Sequence, residues 1–164
     1  MKRNISKWIG LLVAVPCLSA WGNIGAAVPL ARNLEVAGQQ AVSDCKPLLL
    51  EFSAMACEYC RLLEIEVLNP TLLNRDYDQR VLMQKLLIDR PDRLKGFDGD
   101  LISAEQLAQK YRVFVTPTLL FVDAQGRELA ERMVGVTTLD FYGGYLDIAL
   151  ENARRKLRTR GDCD

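Results

Sequence analysis

Apolar positions along this chain switch between helical and strand-like spacing, and the switches set out a series of elements. Leu34, Ala37 and Ala41 recur at helical spacing, which predicts a first helix over residues 30–43. Pro47-Leu48-Leu49-Leu50-Glu51-Phe52-Ser53 is a short apolar run opened by proline, and its length favours a buried strand over a helix. A helix follows from Cys57 towards Val67. Asn69-Pro70 breaks it, and Pro70 suits the first turn of another helix reaching about Tyr77. Arg80 to Asp89 holds a second strand. Arg90 to Ile102 is polar, carries Pro91, Gly96 and Gly99, and reads as a loop longer than compact domains usually contain. Ser103-Ala104-Glu105-Gln106 has the capping-box pattern and opens a helix to Tyr111. Thr118 to Val122 and Glu128 to Val134 are predicted strands around the turn signal Asp123-Ala124-Gln125-Gly126. Thr137 or Thr138 caps a long last helix to about Leu157, with Phe141, Tyr145, Ile148 and Asn152 as its expected core face. The order αβαβαββα describes an α/β sandwich.

The first 27 residues stand apart from this pattern. Lys2, Arg3 and Lys7 precede an apolar stretch from Ile9 to Leu18, and Gly25-Ala26-Ala27 offers a small-residue cleavage site. The expectation is a signal peptide over residues 1–27, a mature domain over residues 28–164, and a periplasmic or otherwise exported location. An earlier cut after Ala20 is a variant of the same reading. A retained membrane anchor is the alternative, although the glycines, Pro16, Ser19 and Asn23 make the stretch a poor span. Pro16 before Cys17 argues against lipidation.

The 164 residues balance 21 basic against 21 acidic side chains, with no basic patch to suggest a nucleic-acid partner. Loss of the leader leaves an excess of three acidic residues. The chain has no histidine, which removes imidazole metal sites and any Cys-His catalytic pair. Four cysteines remain beyond the leader: Cys45, Cys57, Cys60 and Cys163. In an oxidising compartment such thiols persist as disulfides.

Cys57-Glu58-Tyr59-Cys60 follows the first predicted strand directly. Two thiols three residues apart at a helix start share one face, with Cβ atoms roughly 5–6 Å apart. A small adjustment brings them to the Cβ separation of a disulfide, about 3.5–4.5 Å. The pair can therefore alternate between dithiol and disulfide. A structural zinc site wants four ligands, and neither histidine nor a second close cysteine pair supplies them. Glu51 on an apolar strand needs an explanation, because an unpaired buried carboxylate is costly. It is either a strand-end residue facing solvent or a buried proton acceptor for Cys60. Met55 and Tyr59 flank the motif, as an apolar rim for a protein substrate or as ordinary half-buried residues. Glu58 and Arg61 read as a solvated face, and the basic run Arg154-Arg155-Lys156 with Arg158 and Arg160 as a solvated tail.

Together with the element order, four features resemble the thioredoxin superfamily over about residues 30–157, in the manner of its exported, SoxW-like members. They are the Cys57/Cys60 motif, Glu51 six residues before it, Lys85 in Lys85-Leu86-Leu87-Ile88-Asp89, and Val115-Thr116-Pro117-Thr118-Leu119. The resemblance implies a thioredoxin-like fold with a central mixed sheet flanked by helices, and a thiol-disulfide oxidoreductase that reduces or isomerises protein disulfides. It gives Cys57 the role of nucleophile and Cys60 that of resolving thiol. It makes Glu51 a buried acid with Lys85 near it, and Thr116 with a cis Pro117 a substrate-binding edge. Cofactors are not implied. A membrane-linked electron donor is, along with protein thiol or disulfide substrates. The chain departs from plain thioredoxin at Ala56, where a tryptophan usually stands, and at Glu58-Tyr59 in place of Gly-Pro. In the family fold Cys45 and the tail after the last helix lie at the pole opposite the motif, so a Cys45–Cys163 disulfide is open, with two unpaired thiols as the alternative. Two other functions compete: a non-catalytic binding or assembly module of the same fold, and Cu(I) handling through the thiolates.

Overall fold

In a computed structural model, residues 26–161 are described; the proposed leader, apart from its last two residues, and Cys163 lie outside them. The apolar run after Pro47 forms strand β1 (Leu48–Ser53), buried along its whole length. It pairs in parallel with β2 (Leu82–Leu87) and antiparallel with β5 (Thr118–Val122), which in turn pairs with β6 (Met133–Val134). The sheet order is β2-β1-β5-β6, so β1 is central and both its faces need cover.

Alternation along β1 sends Leu48, Leu50 and Phe52 to one face, where they pack with Leu34 of α1 (Leu34–Ser43) and Leu107 of α4 (Ala104–Lys110). The other face carries Leu49, Glu51 and Ser53. There Leu49 packs with Leu63 of α2 (Glu58–Leu63), with Val67 and Leu68, and with Tyr142, Leu146 and Leu150 of α5 (Leu139–Arg160). Each such leucine, fully removed from water, contributes about 1.5–3 kcal/mol. Local signals fix the helix starts: Asn33 Oδ1 accepts from Val36 N, and Ser103 with Gln106 forms the expected reciprocal box.

Four sequence expectations are corrected. The segment from Arg90 to Ile102 is not a bare loop. It holds a hairpin of β3 (Arg93–Lys95) and β4 (Leu101–Ser103), turning at Gly99 with φ +83°, and Leu94 is buried beneath it. Asn69-Pro70 does not break the helix. A π-helical turn (Glu64–Leu68) continues α2 into α3 (Asn69–Leu73), with the Asn69 N–H reaching back five residues to the Glu64 carbonyl just before Pro70. The strand expected from Glu128 is reduced to β6. Leu129 still donates to the Phe121 carbonyl, but the chain then leaves the ladder, and Arg132 reaches Glu128 and the Tyr111 carbonyl. Finally, α5 buries Tyr142, Leu146, Ala149, Leu150, Ala153 and Leu157, while Phe141, Tyr145 and Ile148 are exposed and Asn152 is only partly covered. The buried stripe runs the length of the helix, whereas the expected one gives way to Asn152 and Arg155 halfway along.

Candidate functional site

The chain leaves β1 at Ser53, and Cys57 becomes the N-cap of α2, its amide bonded to the Ala54 carbonyl. Its sulfur accepts from Cys60 N at 3.2 Å, so the thiol side of the pair meets the unsatisfied N–H groups of the helix start. Cys57 and Cys60 are joined as a disulfide with Cα atoms 5.2 Å apart. The two sulfurs differ in access. Cys57 is partly exposed, whereas Cys60, one turn along, is 1% exposed. An incoming thiol or disulfide therefore meets Cys57 first.

Thr118 of β5 pairs with Phe52 of β1, so the preceding Thr116-Pro117 lies at the same end of the sheet as the motif. The Thr116–Pro117 peptide bond is cis. Pro117 is buried, its carbonyl accepting from Gly135 N, and Thr116 is half-buried. Met55 and Tyr59 are 71% and 62% exposed. Phe114, which the sequence reading passed over, is 85% exposed, with exposed Val115 beside it. Met55 stands on the loop before the motif, Tyr59 in the first turn of α2, and Phe114 and Val115 on the segment that leads into the cis proline. Glu58 and Arg61 are exposed and ion-paired with each other one helical turn apart. Asp89 accepts from Met55 N at 2.8 Å and ties the loop after β2 to the loop that carries the motif.

Glu51 is not a solvent-facing strand end. It is 0% exposed, and neither carboxyl oxygen has a hydrogen-bond partner. Burial, and then the nearby Glu64 carboxylate, push its pKa up to about 8, with the Lys85 charge acting the other way. Tyr142 is pushed up as well, first by burial and then by Glu51. Lys85 is the register partner of Glu51 on β2 and shares its face. Its backbone is pinned on the outer side too, donating to the Pro29 carbonyl and accepting from Ala31 N. Its Nζ donates to Glu64 Oε2 at 2.7 Å rather than to Glu51. Glu64 is the site residue that sequence reading missed. The signal was present: Cys57, Cys60 and Glu64 stand at i, i+3 and i+7, on one helical face. Cys45 begins the approach to β1 at the far pole, and Leu157 near the end of α5 lines a depression with Ala41, Val42 and Lys46 there. Cys163 itself lies outside the described residues, and the pairing with it.

The sequence matches the model of the thioredoxin-like domain over residues 34–147. No curated protein matches it. Among solved structures, one described as DsbH oxidoreductase is 20% identical, with TM-score 0.56, covering 88% of this chain and 95% of that one. The germline thioredoxin Deadhead of Drosophila melanogaster is 21% identical, with TM-score 0.51, covering 73% and 96%. Thioredoxin NaTrxh of Nicotiana alata is 21% identical, with TM-score 0.50, covering 76% and 98%. At these identities the likeness is one of fold.

Proposed function

Since the chain belongs to the thioredoxin-like family, we propose that it is an exported thiol-disulfide oxidoreductase that reduces or isomerises protein disulfides through Cys57 and Cys60. The observation that carries this reading is the asymmetry of the disulfide, with Cys57 partly exposed at a helix start and Cys60 buried one turn along. In the reduced protein the Cys57 thiolate attacks a substrate disulfide; one substrate sulfur leaves as thiolate and the other stays bonded to Cys57. Glu51 in its ionised form takes the proton of Cys60. The Cys60 thiolate then attacks Cys57 Sγ, the mixed disulfide breaks, and the second substrate sulfur leaves. The substrate disulfide gains two electrons and leaves as two thiols, and the protein dithiol loses them and closes as the Cys57–Cys60 disulfide.

The direction follows from charge. Glu58 faces Arg61, so their charges largely cancel near Cys57. The helix start alone then favours the Cys57 thiolate. Glu64 lines the same cleft as the two cysteines, and Glu51 lies within electrostatic reach of Glu64. A reduced form stabilised only this far suits a reductase or isomerase rather than a strong oxidant. The pattern of Lys2, Arg3 and Lys7 ahead of an apolar stretch supports export, and a reductase outside the cytosol takes electrons from a membrane-linked donor. The exposed Met55, Tyr59, Phe114 and Val115 supply an apolar rim for an unfolded or extended segment.

The test is a trap. Cys60→Ser keeps the attacking thiol and removes the resolving one. Offered insulin, the reduced variant is expected to retain an insulin chain through Cys57, releasable by dithiothreitol. In the expressing cell its captured partners are expected to be exported proteins. Absence of any adduct contradicts the mechanism, and exclusively cytosolic partners contradict the location.

A further inference from the structure

Below the disulfide lies a cleft of about 310 Å³, walled by Ser53, Cys57, Cys60, Arg61, Glu64 and Lys85 among others. Two of these residues are an ion pair, Lys85 Nζ to Glu64 Oε2 at 2.7 Å, each with less than a fifth of its side chain exposed. Glu51, which pairs in register with Lys85 and precedes Ser53 by two on the same face, lies beneath that wall with no hydrogen bond of its own. A carboxyl group closed off from water exchanges protons with solvent only through neighbours that reach it.

We propose that Glu64 is a positioning residue of the dithiol site: it holds Lys85 at the cleft wall, away from a hydrogen bond with Glu51, and with Lys85 forms the route by which the proton of Glu51 reaches solvent. The inference rests on Cys57–Cys60 as the working couple. When Cys60 gives its proton to Glu51, the cleft pair receives it and water carries it off. The protein then enters the next cycle with Glu51 able to accept again. The π-helical turn that begins at Glu64 continues the helix capped by Cys57, so Glu64 and the two thiols stand on one continuous helical segment.

The groups that face Glu51 decide its response. From the π-helical turn this is Glu64; from β2, Lys85; from α5, Tyr142, whose phenol feels the Glu51 charge. On β5 its register partner is the apolar Leu119. Arg61 at the rim is engaged by Glu58. Release of Lys85 is therefore the change with most effect on Glu51, and loss of the Glu64 charge acts in the same direction. Both favour the carboxylate, so both lower the midpoint of Glu51.

The experiment follows Glu51 in the oxidised protein by carboxyl carbon NMR, and separately the pH profile of disulfide formation when reduced protein meets oxidised glutathione. In Glu64→Gln the Glu51 midpoint is expected to fall by at least one pH unit from its value near 8, with the rate profile moving the same way. In Glu64→Gln with Lys85→Met the fall is expected to be less than half as large, since no lysine is left to release. A Glu51 midpoint unchanged in Glu64→Gln, or an equal fall without Lys85, overturns the proposal. Glu64→Asp, which keeps the charge and shortens the reach, is expected to shift the midpoint downward by a smaller step; no shift there also overturns it. Wild-type protein that never forms a disulfide with glutathione at any pH would instead overturn the reading of the couple.

Discussion

Cys57→Ser is expected to lose protein-disulfide reduction by roughly a thousandfold or more, about 4 kcal/mol in the barrier. The reason is positional as well as chemical. Among the described cysteines, only Cys57 combines partial exposure with the helix-start N–H groups. A hydroxyl there does not ionise near neutral pH, and Cys60 is too deeply covered to replace it. Cys60→Ser differs in kind, because it allows the first attack and stops the second. Insulin reduction, followed by turbidity with dithiothreitol as donor, measures both. Activity of Cys57→Ser close to that of the wild type would remove the nucleophile assigned here. Equal background activity from wild type and both variants would favour a binding module over an enzyme.

Oxidised wild-type protein is expected to lose stability as pH rises from about 5 to 8, relative to Glu51→Gln. The folded pKa of Glu51 stands near 8, against 4.5 ordinarily. Below 4.5 both folded and unfolded chains hold the proton, and the full benefit is present. Between the two values the unfolded chain ionises while the folded one stays protonated, so the folded state binds more protons and stability falls with pH. Each unit costs about 1.4 kcal/mol, and the window from pH 5 to 8 about 4 kcal/mol. Above 8 the folded chain ionises too, and the slope ends. Glutamine keeps the shape and has no proton to lose. Urea unfolding of the two oxidised proteins at pH 5, 6, 7 and 8 gives the difference directly. A constant gap across that range would show that Glu51 titrates in the ordinary range and cannot exchange protons with Cys60 near neutral pH.

The parts of this structure that were legible in the sequence are those set by strong local patterns. A short apolar run opened by proline favoured a buried strand over a helix, and two cysteines at its exit on a helix start had to share a face. The resemblance at Glu51, Lys85 and Thr116-Pro117 brought distant segments to the same end of the sheet. What escaped was decided by competition between patterns of similar strength. On α5 two apolar stripes lie one residue apart, and the one from Tyr142 to Leu157 is buried because it persists for four turns. The hairpin at Arg93 to Ser103 has only one deeply buried apolar side chain, Leu94, between charged neighbours, too short an alternation to stand out. Lys85 was expected near Glu51 on the strength of the resemblance. Its hydrogen bond goes instead to Glu64, a residue whose helical phase with Cys60 was readable but whose charge looked like one more solvated glutamate.

The central claim is that Cys57 and Cys60 form a reversible two-electron couple poised for reduction. Equilibrating the protein in graded glutathione buffers and counting free thiols by alkylation and mass spectrometry measures it. The account predicts a single couple confined to Cys57 and Cys60, with a potential below about −180 mV; a value near about −120 mV would mark an oxidant and contradict it.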